Sequence, residues 1–110
     1  MTLSVIIPLY NEEENVQILY EKLKESLLPL VKEYEILFVD DGSSDRTLSI
    51  LEEIQSKDNR VVVLSLRRNF GQTAALSAGI DHSRGEIIVP MDGDENPLTP
   101  ASNTVNFAAG

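Results

Sequence analysis

Short apolar runs alternate along this chain with segments of helical period, and that alternation limits the fold more than any other feature. The runs are Leu3 to Leu9, with Val5, Ile6 and Ile7 in a row and Pro8 close to the end, then Glu35 to Val39, Val61 to Leu66 and Glu86 to Pro90. Continuous hydrophobicity over so short a length describes strands buried on both faces. Between them, Val16, Leu19, Tyr20, Leu23 and Leu27 keep helical spacing, as do Leu48, Leu51 and Ile54. Asn11 is placed as the N-cap of the first helix with Glu12, Glu13 and Glu14 in its first turn, and Pro29 ends it. Asp45 or Ser44 caps the second. A third helix runs from Gln72 to Ser83, stopped by Gly85 and lined with Ala74, Ala75, Ala78 and Gly79, small residues that let a helix lie close to a sheet. Strand and helix in strict alternation predict an α/β fold: parallel strands joined by right-handed crossovers, with helices on the faces of the sheet.

Ligands in this class bind beyond the carboxyl ends of the strands. The loops of interest are therefore Tyr10-Asn11-Glu12, Asp40 to Asp45, Arg67 to Gly71, and Asp92 to Asp94. Composition narrows what they can hold. With 110 residues the chain has room for one small domain, and 18 Asp plus Glu against 9 Lys plus Arg give a formal charge of −9. That balance argues against gripping nucleic acid or anionic lipid by a basic surface, so a phosphate-bearing partner needs a metal ion or a local cluster of donors. The absence of cysteine excludes disulfides, thiolate metal sites and thiol catalysis. The first residues lack the basic stretch of a signal peptide, and no apolar run approaches the roughly 18 residues of a membrane span, so the chain by itself is expected to be soluble. From Asn96 onward charge and periodicity disappear, which reads as a tail or loop.

Two acidic clusters end two of the strands: Asp40 and Asp41 after the second, Asp92 and Asp94 after the fourth. Two carboxylates one residue apart at a strand end can both turn toward a hard cation such as magnesium or manganese, whose open positions suit diphosphate oxygens. The same pair also reads as a solvated turn. Asp40-Asp41-Gly42-Ser43 can be a turn with a helix cap, or carboxylates that accept from a ribose or a base N–H. Arg67 and Arg68 suit a phosphate or a solvated pair. Tyr10 can stack on a base or close the core, while His82 near a helix end fits an interaction with the helix dipole better than catalysis. No dinucleotide fingerprint, P-loop or nucleophile elbow occurs.

The ordered set Ser4-Val-Ile-Ile-Pro-Leu-Tyr-Asn-Glu12, Glu35-Ile-Leu-Phe-Val-Asp-Asp-Gly-Ser-Ser-Asp45, Arg68-Asn-Phe-Gly-Gln-Thr-Ala-Ala-Leu-Ser-Ala-Gly79 and Gly85-Glu-Ile-Ile-Val-Pro-Met-Asp-Gly-Asp94 resembles the amino-terminal half of a family 2 glycosyltransferase with the GT-A fold. The likeness covers residues 3 to 94, and its Arg-Asn-Phe-Gly-Gln block resembles the branch that loads sugars onto polyprenyl phosphates such as dolichyl or undecaprenyl phosphate. The resemblance implies a Rossmann-like three-layer sandwich with a mostly parallel sheet. It implies transfer of a hexose from a UDP- or GDP-linked sugar with inversion, to a polyprenyl phosphate or a glycan, with Mg2+ or Mn2+. By the same resemblance Pro8, Tyr10, Asn11 and Glu12 border the nucleotide, Asp41 with Asp40 beside it contacts the uracil or ribose, and Asp92 and Asp94 hold the metal on the donor diphosphate. A location in the cytoplasm, at the cytoplasmic face of the membrane, goes with such an acceptor, with peripheral membrane association of a full-length protein.

Departures begin after Asp94, where Glu95-Asn96-Pro97 replaces the family's usual Leu-Gln-(Asn or Asp)-Pro. The expected division is a donor-binding half over residues 1–94 and a divergent tail over 95–110 of a partial or truncated member, with the acceptor half and any catalytic base missing. Two alternatives stand beside this reading. One is a nucleotide- or metal-binding module without turnover. The other is a magnesium-binding domain, like a response regulator, that accepts a phosphoryl group on Asp41 or Asp92.

Overall fold

The computed structural model describes residues 2–91, arranged as β1 (Leu3–Leu9), α1 (Val16–Leu27), β2 (Tyr34–Asp40), α2 (Thr47–Lys57), β3 (Val61–Ser65), α3 (Gln72–His82) and β4 (Ile87–Pro90). The four strands form one sheet in the order β3-β2-β1-β4, and every pairing is parallel. All the predicted strands and helices are present. The expected metal pair Asp92 and Asp94, and the tail 95–110, lie outside the described residues.

β1 and β2 are apolar on both faces apart from Ser4, Glu35 and Asp40 near their ends, because each face meets a different layer. Val5, Ile7 and Leu9 of β1 and Tyr34, Ile36 and Phe38 of β2 pack with Val16, Leu19, Tyr20 and Leu23 of α1 and Leu51 and Ile54 of α2. The alternate residues, Ile6, Leu37 and Val39, pack on the opposite face against Ala75 of α3. The first two crossovers progress outward from β1 to β3, and the third returns past β1 to β4. A right-handed crossover that reverses its direction along the sheet must pass over the other face, which is why α3, among the described helices, lies there without a second helix. Ala75 and Gly79 are the residues of α3 buried on the sheet; a Cβ at Gly79 would come within 2.4 Å of Ile6 Cγ2. The predicted lining of small residues thus narrows to these two, since Ala74 is exposed and Ala78 only half-buried.

The reversal makes the carboxyl ends of β1 and β4 a topological switch point, and Pro8 opens it. The N–H of Ile87 donates to Thr2 O at 3.0 Å and that of Met91 to Ile6 O at 2.8 Å, so even-numbered residues of β1 turn their backbone groups toward β4. The next rung would take an N–H from residue 8, and proline has none. β1 meanwhile stays paired with β2 through Leu9↔Asp40. One ladder therefore ends where the other continues.

Helix starts depart from expectation. α1 begins at Val16 rather than after Asn11, because Asn11 takes a left-handed φ of 51° and the N–H groups of Asn15 and Val16 both donate to Glu12 O, forming a turn ahead of the helix. The three glutamates lie in that turn and not in the first helical turn. α1 stops at Leu27, just ahead of Pro29 as predicted.

Candidate functional site

Three of the four predicted loops meet at the carboxyl end of the sheet, and side-chain oxygens aimed at backbone N–H groups join them. Asn11 N–H donates to Ser43 Oγ at 2.9 Å, and Asn11 Oδ1 accepts from Ser44 N–H at 2.8 Å. Glu12 N–H donates to Thr47 Oγ1 at 2.9 Å, while the Thr47 hydroxyl donates to Asp45 Oδ1 at 2.6 Å. Asp45 also accepts from Thr47 N–H at 2.9 Å and from Glu13 N–H at 3.3 Å. Partial burial pushes the Asp45 carboxyl up, but the Thr47 hydroxyl and the N–H groups of Thr47 and Glu13 outweigh it and hold it below the usual carboxylate range. The predicted cap is displaced by one residue: Arg46 is the N-cap of α2 and makes no side-chain cap bond, while Asp45, one residue earlier, accepts from Thr47 N–H and ties the β1–α1 loop to the helix start. Thr47 was not singled out from the sequence. Its signal was there in Asp45-Arg46-Thr47, an acid two residues ahead of a hydroxyl at a helix start.

The second junction rests on Asp41, which is 3% exposed. Its Oδ1 accepts from Phe70 N–H at 2.8 Å and its Oδ2 from Gly71 N–H at 3.1 Å, at the amino end of α3. Carboxylate charge and the helix dipole favour each other there. Gly42 makes the approach possible, since with φ at 71° it lies so close to the β3–α3 loop that a Cβ would fall 2.2 Å from the carbonyl carbon of Arg68. Asp40, 2% exposed, accepts from Ser43 N–H at 3.4 Å through Oδ2, and its Oδ1 is buried without a hydrogen-bond partner among the described residues. An unsatisfied buried carboxylate oxygen costs free energy.

The remaining predicted residues are placed as follows. Pro8 is buried at the end of the β1–β4 ladder, and Glu12 is half-buried with Oε2 accepting from Asn15 Nδ2 at 2.8 Å. Tyr10 is 47% exposed, so it does not close the core and its ring is available for stacking. Arg68 lies over the ring of Phe70, 4.7 Å from its centroid, on the same rim. His82 Nδ1 bonds to Ala78 O at 2.9 Å in the last turn of α3, a helix-end role far from these loops. Among the described residues no group of three or more His, Cys, Asp or Glu is placed to hold a metal ion. No helix among them is long and apolar enough to cross a membrane.

Sequence reasoning overlooked a buried carboxylate at the opposite edge. Glu35, 1% exposed, accepts from the Ser4 hydroxyl at 2.6 Å and from Arg84 N–H at 2.7 Å, and Arg84 Nε lies 3.6 Å from its other oxygen. Ser4 Oγ in turn accepts from Gly85 N–H, where a Cβ would fall 2.6 Å from Ser4 N.

Comparison with known proteins agrees with this architecture. The family model of glycosyl transferase family 2 matches residues 4–100. The undecaprenyl-phosphate 4-deoxy-4-formamido-L-arabinose transferase of Proteus mirabilis is 44% identical over 96 residues, covering 86% of this chain and 29% of that protein. Staphylococcus aureus TarS, solved as residues 1–349 in complex with UDP, superposes with a TM-score of 0.74 at 32% identity over 86% of this chain and 28% of its own. The mannosyltransferase PcManGT of Pyrobaculum calidifontis, solved with GDP-Man and Mn2+, gives a TM-score of 0.75 at 26% identity over 84% of this chain and 27% of its own. The chain therefore spans less than a third of the length of these proteins.

Proposed function

This chain belongs to glycosyl transferase family 2, and from that premise we propose that it forms the donor-binding part of an inverting enzyme that transfers a hexose from a nucleotide sugar to a polyprenyl phosphate. The observation that carries the proposal is the paired Asp40 and Asp41 at the carboxyl end of β2, beside the gap that Pro8 opens between β1 and β4. Asp40 Oδ1, without a hydrogen-bond partner among the described residues, keeps unused acceptor capacity behind this edge. Tyr10 offers an aromatic face on the same rim, and Asn11 and Glu12 border it on a backbone already held in place. Asp41 contributes a lone pair to a base or ribose donor while remaining bound to Phe70 and Gly71 N–H.

Asp92, which follows Met91 directly in the sequence, and Asp94 two residues on would hold Mg2+ or Mn2+ through hard carboxylate oxygens. The metal bound in the PcManGT structure supports a divalent ion, and when bound it would neutralise charge on the departing nucleoside diphosphate. A polyprenyl-phosphate acceptor is supported by the undecaprenyl-phosphate relative, and a phosphate oxygen is anionic already, so it attacks without the general base a sugar hydroxyl needs. Residues 1–94 form the donor half in this proposal. The acceptor half and the cytoplasmic membrane face at which such an acceptor is met belong to a longer protein. The phosphoacceptor alternative has less support, since the matching family model and the relatives are glycosyltransferases.

The test is calorimetric titration of the chain with UDP and with GDP, with and without Mn2+, beside Asp92→Asn. Metal-dependent binding lost in the variant is the expected result. A folded chain that binds neither nucleotide would remove the assignment.

A further inference from the structure

Tyr10 to Glu12 belong to no helix or strand, and Asn11 within them has a left-handed backbone. Something outside the segment must hold it. Its own bonds to Ser43 and Ser44 are at the exposed surface, where water competes. Thr47 differs, being fully buried at the start of α2. Its hydroxyl proton is committed to Asp45 Oδ1 at 2.6 Å, so its lone pairs are left to face the Glu12 N–H, 2.9 Å away. Asp45 fixes that hydroxyl with one oxygen and takes the next N–H of the segment, from Glu13, with the other.

We propose that Thr47 and Asp45 are positioning residues for the nucleotide, a relay from the amino end of α2 that holds Tyr10, Asn11 and Glu12 in the arrangement the donor meets. This inference rests on the nucleotide reading above. It adds to that reading two residues that touch no ligand themselves and act through the Glu12 and Glu13 backbone. The relay ordering is directional: carboxylate orients hydroxyl, hydroxyl orients amide, and the amide fixes the residue next to Tyr10 and Asn11. Removing the hydroxyl takes away the acceptor that Thr47 gives the Glu12 N–H and loosens the segment's hold on α2. A segment ordered only on binding would be ordered at the expense of affinity.

The experiment compares UDP affinity, measured by calorimetry with Mn2+, and thermal stability across four forms of the chain. Thr47→Val keeps the shape and loses the relay; its affinity for UDP is expected to fall about tenfold. Thr47→Ser keeps the hydroxyl and should bind within about threefold of the parent. Tyr20→Phe is the control, because it removes a hydrogen bond to Asp58 of 2.6 Å at the other end of α2, roughly 16 Å along the helix axis from Thr47. It should lose stability and leave UDP affinity unchanged. Should Thr47→Val not fold, Asp45→Asn carries the same expectation at about threefold. Thr47→Val binding UDP as tightly as the parent, or Tyr20→Phe weakening it equally, overturns the positioning role while the nucleotide reading stands. A folded parent that binds neither UDP nor GDP overturns both, and one that binds GDP alone moves the same comparison to GDP.

Discussion

At each end of the β-sheet a nearly inaccessible carboxylate reaches between segments distant in sequence, yet the two ends treat their charge differently. Glu35 at the amino end meets a hydroxyl, a backbone N–H and the guanidinium of Arg84, so its charge is both hydrogen-bonded and paired. Asp40 and Asp41 at the carboxyl end meet only N–H groups among the described residues, and one oxygen of Asp40 meets nothing. Neighbouring carboxylates without a cation repel, and burial raises the cost. The amino end is complete in itself, whereas the carboxyl end holds unspent hydrogen-bonding capacity and negative charge at the place where a parallel sheet binds ligands. Cost concentrated at one edge of a fold supports the binding site proposed there.

The comparison breaks most directly at Glu35. Glu35→Ala should remove about 3 kcal/mol of stability in urea denaturation, by orphaning the Ser4 hydroxyl and the Arg84 N–H together, and should leave UDP affinity unchanged. Asp41→Asn replaces an acceptor with a donor facing Phe70 or Gly71 N–H. It is expected to cost about 2 kcal/mol and to lower UDP affinity at least about tenfold, which calorimetry on the folded variant reads. Asp40→Asn sharpens the contrast because it removes an uncompensated charge: stability within about 0.5 kcal/mol of the parent, or above it, together with weaker UDP binding separates a site residue from a structural one. A large loss of stability in Asp40→Asn would put the two ends on the same footing.

A smaller effect follows from pH. Burial raises the Asp58 carboxyl, but the Tyr20 hydroxyl, the Arg60 N–H and the charges of Lys24 and Arg60 outweigh it and hold the group below its ordinary value. A carboxylate so depressed contributes stability that is present above its unfolded pKa and is lost as pH falls through the folded one. Asp45 contributes in the same direction. Acid titration of Asp58→Asn should therefore show a shallower loss of stability below about pH 4 than the parent, followed by circular dichroism. The Tyr20 hydroxyl is raised, chiefly by burial and then by Asp58, so stability should also decline as pH rises above about 10.

Strand and helix order were legible because each element's pattern is local: β-branched runs for β1 to β3, and a three-four spacing for α1 and α2. The acid at each strand end was legible too, since a charge closing an apolar run is conspicuous. Boundaries held less well, because Asn11 looks like a cap and in fact turns left-handed to meet Ser43 and Ser44, contacts made 32 and 33 residues away. Glu35 was passed over inside a strand because nothing local shows that Ser4 and Arg84 converge on it.

The sequence by itself determined an α/β sheet with its acidic loops at one edge, since periodicity, turn residues and strand-ending acids are properties of neighbours along the chain. Tertiary structure alone decided which carboxylates are satisfied, that Asp41 bonds to the start of α3, and that Thr47 steadies the segment after β1. Those bonds join residues about 30 or more positions apart, and a hydrogen bond depends on distances that only the folded chain sets.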